Sequence, residues 1–144
     1  MNWKQEAVDK LKGYQVRKRA LENIPEEIQR LKSQSISIKS AVKEGTPVQG
    51  GGSREDMMLS NLVQREELKR SLEQAKAWVQ SVDRGLSILD EEQRLVLERL
   101  YLKHAMGNVD LLCEELSIEK ATVYRRRDSA LRQFTLALYG AVES

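Results

Sequence analysis

Few residues of this 144-residue chain are of types that could carry out chemistry. Its one histidine, His104, lacks the second group that general acid–base catalysis usually requires. Its one cysteine, Cys113, lies on the apolar side of a helix pattern, which favours core packing over redox sensing. The acidic pair Glu91-Glu92 is better explained as the start of a helix than as metal ligands. We therefore expect no enzyme activity, no cofactor and no metal site.

The remaining candidates are basic. Arg125, Arg126 and Arg127 are consecutive, and residues 119–144 hold five basic and three acidic residues. The preceding stretch, residues 86–118, holds three basic and seven acidic residues. Such an asymmetry indicates separate surfaces with separate partners. Solvated helix faces without partners are the alternative interpretation.

The arginines follow two short helix patterns that are separated by a tight turn. This arrangement, with the second helix basic at its start, is typical of a helix-turn-helix. Leu112 and Leu116 fill apolar positions of the first helix, and Cys113 is the small residue that a close helix crossing requires. Ile118 follows the turn as a buried aliphatic, and Val123 is placed to fill the crossing.

Two positions depart from the pattern. The turn residue is usually glycine, because the backbone there is left-handed, but here it is Ser117. Arg126 stands where an aliphatic side chain is common, so we expect its stem to pack while its charged end reaches water or phosphate.

Residues 86–134 resemble sigma-factor region 4. The shared features are the leading Leu89–Glu92, the helix from Val96 to Tyr101, the helix-turn-helix, and the trailing Ala130-Leu131. The chain as a whole is similar to the ArpU/RinA-type phage late-gene transcriptional regulators. That resemblance implies a sequence-specific DNA-binding regulator, most simply an activator, encoded by a phage or prophage and acting in the cytoplasm of a bacterial host.

The same resemblance implies which residues would touch DNA. A recognition helix presents the exposed side chains of its first turns to base edges in the major groove. The candidates for base contact are Glu119, Lys120, Ala121, Thr122, Tyr124 and Arg125. Arg126 and Arg127 are the candidates for phosphate contact, which sets register without reading sequence. By analogy with region 4, the acidic stretch 86–118 would contact bacterial RNA polymerase.

Long helices must position this segment. Leu, Glu, Lys, Arg, Gln and Ala dominate the composition, and only two prolines are present, so we expect an all-α fold. A first helix is predicted from Trp3 to Leu21, ended by Asn23-Ile24-Pro25. Heptad seams follow in a second and a third helix. Their members are Ile24, Ile28, Leu31, Ser35, Ile38 and Val42, then Leu68, Leu72, Ala75, Val79, Val82, Leu86 and Leu89.

Beyond Leu89 the helix patterns are shorter. Asp90 and Gln93 are spaced as a capping box. Gly107 is predicted to end the next helix, Asn108 to cap the one after it, and Gly140 to stop the last helix.

These patterns predict four consecutive segments. Residues 1–44 form an N-terminal helical pair, 45–53 a Gly/Pro linker, 54–85 a long connecting helix, and 86–144 the sigma region 4-like module. The N-terminal part would be a helical hairpin or coiled-coil bundle, and the heptads permit pairing within one chain or between copies. No run approaches the roughly 18 apolar residues of a membrane span.

Two other functions remain open from the residues alone. A phage terminase small subunit also joins a helix-turn-helix to coiled-coil helices, but it assembles into rings for DNA packaging. A helical protein–protein interaction module would use the same helices to dock a protein instead of DNA.

Overall fold

The computed structural model describes residues 2–43 and 53–140, and within these ranges it is all-α, without strands. No helix in the described part has both the length and the apolar content needed to cross a membrane. A π-helical turn, Glu98–Leu102, directly continues the fourth helix. The α-helices are α1 Trp3–Lys12, α2 Tyr14–Lys43, α3 Arg54–Ile88, α4 Glu91–Leu97, α5 Asn108–Leu116 and α6 Lys120–Tyr139.

The described residues divide into two compact units that do not follow chain order. Unit 1 contains those of Met1–Arg17 and Ala77–Ser144, and unit 2 contains those of Lys18–Lys76. The helices α2 and α3 each contribute to both units. The four consecutive segments of the sequence analysis stay a prediction, and the linker up to Gly52 lies outside the described residues.

The first helix break lies at Gly13 and not at Pro25, so the predicted helix from Trp3 to Leu21 is wrong at both the break and the end. A Cβ atom at residue 13 would lie 2.7 Å from the Trp78 ring, whose Nε1 donates to the Lys10 carbonyl at 2.9 Å. Pro25 lies inside α2. Because proline has no backbone N–H, the helical hydrogen bond to the Leu21 carbonyl is lost. Ile28 and Leu31, one and two turns after Pro25, are buried, and this burial opposes the cost of the lost bond.

Unit 2 is an antiparallel pair of helices formed by parts of α2 and α3. Asn61 Nδ2 of α3 donates to the Leu31 carbonyl of α2 at 2.7 Å, and the Ser35 hydroxyl donates to Met58 Sδ at 3.8 Å. From Leu31 to Ser35 the residue numbers in α2 rise, while those of their partners in α3 fall from Asn61 to Met58. The two helices are therefore antiparallel. The predicted seam of α2 is confirmed from Ile28 to Ile38, where every member is buried, whereas its first member, Ile24, is half-buried. The side chain of Val42 lies outside the described part.

Unit 1 packs α1, the last third of α3 and the C-terminal helices together. Leu11, Val82, Leu97 and Phe134 are among its fully buried side chains. The Tyr14 hydroxyl donates to Asp83 Oδ1 at 2.7 Å. Burial and this hydrogen bond raise the pKa of Tyr14 to about 12.

The α3–α4 corner is closed by side-chain caps. Asp90 accepts from the Gln93 backbone N–H at 2.7 Å and its own N–H donates to Gln93 Oε1 at 3.2 Å, so the predicted capping box is confirmed. The Arg94 guanidinium donates to the carbonyls of Leu86 and Leu89, at 3.1 and 3.0 Å. The Leu86 carbonyl also accepts from the Leu89 N–H at 3.2 Å, and the guanidinium adds donors at this helix end.

The α4–α5 connection differs from the prediction. The helical stretch ends at Leu102, five residues before Gly107, which is the N-cap of α5 in a left-handed conformation with φ 79°. Asn108 is the first residue of α5, and its buried side chain donates to the carbonyls of Arg99 and Lys103. It therefore holds the preceding turn and does not cap its own helix. Gly140 ends α6 in a left-handed conformation, as predicted.

Candidate nucleic-acid interface

The start of α6 is anchored from behind by a small apolar cluster. Val123 is fully buried, and it forms a buried cluster with Val96, Leu100 and Leu112, from α4, the π-helical turn and α5. Leu116, Cys113 and Ile118 pack against the same cluster and are half-buried. The predicted role of Val123 at the helix contact is thus matched by its burial. An anchored inner face fixes which residues of α6 point outward.

The connection between α5 and α6 is Ser117–Glu119. Ser117 has φ 55° and ψ 46°, the left-handed conformation for which glycine is usual. The Ile118 N–H donates to the Cys113 carbonyl at 3.1 Å and closes the turn. Glu119 then serves as N-cap of α6, and its carbonyl accepts from the N–H groups of Thr122 and Val123.

The N-terminal half of α6 presents one continuous exposed face. At 100° per residue, Lys120, Ala121, Tyr124 and Arg125 fall within about 140° of arc, and all four are exposed. Arg132 is exposed on the same face, one heptad after Arg125. Arg132 was not among the residues predicted to contact DNA, although its seven-residue spacing from Arg125 places it on this face.

Thr122 and Arg125 are neighbours at the edge of this face. Arg125 Nη2 donates to Thr122 Oγ1 at 3.1 Å, and Thr122 is half-buried. The bond spans one turn and leaves the remaining donors of the exposed guanidinium available. Glu119 is exposed at the helix start, and its side chain makes no capping hydrogen bond within the described residues.

The two arginines predicted to contact phosphate are engaged with protein groups. Arg126 forms an ion pair with Glu92 of α4, with both side chains about 40% exposed. Arg127 Nη2 lies 3.0 Å from Asp128 Oδ1, and its guanidinium carbon lies 5.0 Å from the centre of the Tyr124 ring. These pairs orient both guanidinium groups without burying them.

A contact from α1 reaches the same region. Lys4 Nζ lies 3.4 Å from Asp128 Oδ2, so α1 and α6 are linked beside Arg127. Burial raises the pKa of Tyr101, while the positive charge of Arg127 opposes that rise. The sequence did not predict the Lys4–Asp128 ion pair, because the two residues are far apart in the chain.

A shallow cavity of about 190 Å³ borders the exposed face. It lies between the connection before α5 and the start of α6, with Lys120 and Tyr124 on one side and His104, Met106 and Asp110 on the other. Met106 is 96% exposed, so this rim is open to solvent. In the described ranges, no three His, Cys, Asp or Glu side chains are grouped closely enough to hold a metal ion.

Comparison of the chain with protein-family models, with curated proteins and with solved structures returns no significant match.

Proposed function

We propose that unit 1 is a sequence-specific DNA-binding module of a transcriptional regulator, with α6 as its recognition helix. The observation that supports this most directly is the exposed face of Lys120, Ala121, Tyr124 and Arg125, backed by fully buried Val123. A helix docked in the major groove needs this combination of an anchored inner face and a polar, basic outer face.

Each residue of the face has a role that follows from its chemistry. Arg125 would pair bidentately with a guanine through donors that its bond to Thr122 does not use. Lys120 would reach a guanine or a phosphate near the helix start. Ala121, Thr122 and Tyr124 would contact thymine methyl groups or phosphate, and Glu119 would accept from a cytosine amine.

Phosphate contacts would flank this face. Arg126 and Arg127 keep donors exposed beyond their pairs with Glu92 and Asp128. Arg132 adds a further exposed cation on the face itself. Contacts of this kind set the register of the helix on DNA but carry no sequence information.

The resemblance of the sequence to ArpU/RinA-type regulators and to sigma region 4 extends this proposal to phage late-gene activation. The acidic side of unit 1 would then contact RNA polymerase through Glu114, which is exposed on α5. Polymerase binding by wild type that is weakened by Glu114→Lys would support this role. Equal binding by Glu114→Lys and wild type would contradict it.

The test of DNA binding is selection of bound fragments from a random duplex pool, followed by affinity measurements at two salt concentrations. We compare wild type with Arg125→Ala and with Arg84→Ala, a matched control because Arg84 is an exposed arginine of unit 1 on α3. Wild type and the control should enrich one motif. Arg125→Ala should lose preference at one base position, at a cost of about 1–3 kcal/mol.

Two results would overturn the proposal. One is the absence of any enriched motif together with affinity that does not fall with salt, because phosphate contacts release counterions. That result would favour docking of α6 on a protein. The other is an equal loss of specificity in Arg125→Ala and Arg84→Ala.

A further inference from the structure

The outer face of α3 in unit 2 carries an apolar patch that nothing in unit 2 covers. Leu59 is 60% exposed, and Leu62 and Val63 are each 45% exposed. Their spacing of i, i+3 and i+4 places them together on one side of the helix. The side opposite holds buried Asn61, which bonds to α2. The patch therefore belongs to the face of α3 that points away from its partner helix.

Charged residues at the two ends of this patch are opposite in sign. Glu55 lies on the same face two turns before Leu62, and Arg70 lies two turns after it. Both are exposed, and neither takes part in an ion pair within the described part of the chain. The face thus has Glu55 at one end, the apolar patch in the middle and Arg70 at the other end, with Glu66 between Val63 and Arg70 paired to Lys69 at 3.2 Å.

We propose that this face binds the same face of a second copy of the chain, with the two α3 helices antiparallel. If the symmetry axis passes between Leu62 and Val63, Leu62 of each copy meets Val63 of the other. Glu55 then meets Arg70 at both ends, and Leu59 covers the stem of Glu66. An in-register parallel pair would instead place Glu55 against Glu55 and Arg70 against Arg70.

A self-complementary patch of this kind is what a two-fold dimer requires, since residue i contacts j and j contacts i. In unit 2 each helix buries only one stripe of side chains against the other helix. The exposed apolar side chains of α3 therefore need a second surface to cover them. All the residues involved lie in Lys18–Lys76. Dimerisation through this face is therefore independent of DNA binding by unit 1.

The first experiment measures the oligomeric state of the full chain by sedimentation equilibrium over a range of concentrations. Wild type should be a dimer in equilibrium with monomer. Leu62→Glu should raise the dimer dissociation constant by on the order of tenfold or more, because it buries a charge in the apolar centre. Ile36→Glu is the matched control, since Ile36 is 65% exposed on α2 and should leave the equilibrium unchanged.

A charge exchange then tests the register. Glu55→Arg alone and Arg70→Glu alone should each weaken the dimer, while the chain carrying both should recover. Residues 55 and 70 are about 22 Å apart along one helix, so only contact between copies can produce that recovery. Helicity measured by circular dichroism checks that each variant is folded.

Three outcomes would overturn the proposal. They are a monomeric wild type at every concentration, equal weakening by Ile36→Glu and Leu62→Glu, and failure of the double charge exchange to recover. A monomeric wild type would mean that the patch binds a different partner. Failure of the double charge exchange would mean that the dimer uses a different register or face.

Discussion

Ser117 holds a left-handed backbone conformation that only glycine adopts without steric cost. Its φ of 55° is the one positive value among the non-glycine residues that the structure describes. The turn that joins α5 to the proposed recognition helix is therefore strained at one residue.

Replacing Ser117 with glycine should relieve that strain. We expect Ser117→Gly to raise the free energy of unfolding by about 0.5–1 kcal/mol, measured by urea denaturation. Ser117→Ala is the control, because alanine keeps a Cβ atom and should give no such gain. Equal effects of the two substitutions would show that the backbone conformation is not the source of the cost.

Individual residues differ in how far their environment could be predicted. Val123 and the Asp90–Gln93 cap were predictable because each depends on spacing within a few residues. The partners of Arg126 and Asp128 were not, because Glu92 and Lys4 reach them only through tertiary packing. Local sequence fixes which side chains face inward, but not which distant group lies opposite.

At Gly85, α3 and α6 are in especially close contact. A Cβ atom at residue 85 would lie 2.6 Å from Cε2 of Phe134. Phe134 is fully buried, so its ring has little room to move away. Glycine is required at this position by the neighbouring helix, although α3 continues through it as regular helix.

Gly85→Ala should therefore destabilise unit 1 even though alanine is the better helix former. Overpacking typically costs about 1–3 kcal/mol, against a gain of about 1 kcal/mol in helix propensity. We expect Gly85→Ala to lower the midpoint of thermal denaturation. A chain that also carries Phe134→Leu should recover part of that loss. A double-mutant cycle without coupling between the two positions would contradict the argument.

Helix type was predictable here, but several helix boundaries were not, the first break among them. The heptad seams identified α2 and α3 because each seam repeats over several turns. The break at Gly13 and the continuation through Pro25 depend instead on Trp78 and on burial along α2. Both causes are tertiary, so local helix signals pointed to the wrong residue.

The molecule as a whole distributes its core unevenly. Of the largest fully buried side chains in the described residues, only Leu31 belongs to unit 2, and that unit also buries the polar Ser35 and Asn61. Unit 1 contains the others, including Leu11, Val96 and Phe134. Unit 2 therefore has much less apolar burial to hold its two helices together.

Hydrogen exchange should reveal this difference as two levels of protection. Under conditions where the chain is monomeric, backbone amides of α6 around Phe134 should exchange more slowly than those around Leu31 and Asn61. Mass spectrometry of peptides from the two units measures this directly. Uniform protection along the chain would show that the two units open together and that the uneven core has no energetic consequence.

The membership of α1 in unit 1 has a consequence for the order in which the chain is made. The residues of unit 2 are contiguous, so this helical pair can form as soon as residue 76 leaves the ribosome. Leu11 of α1 is buried in the same unit as α6, which is synthesised more than a hundred residues later. Until then α1 lacks its contact with α6, so the proposed DNA-binding surface is completed only after α6 has been synthesised.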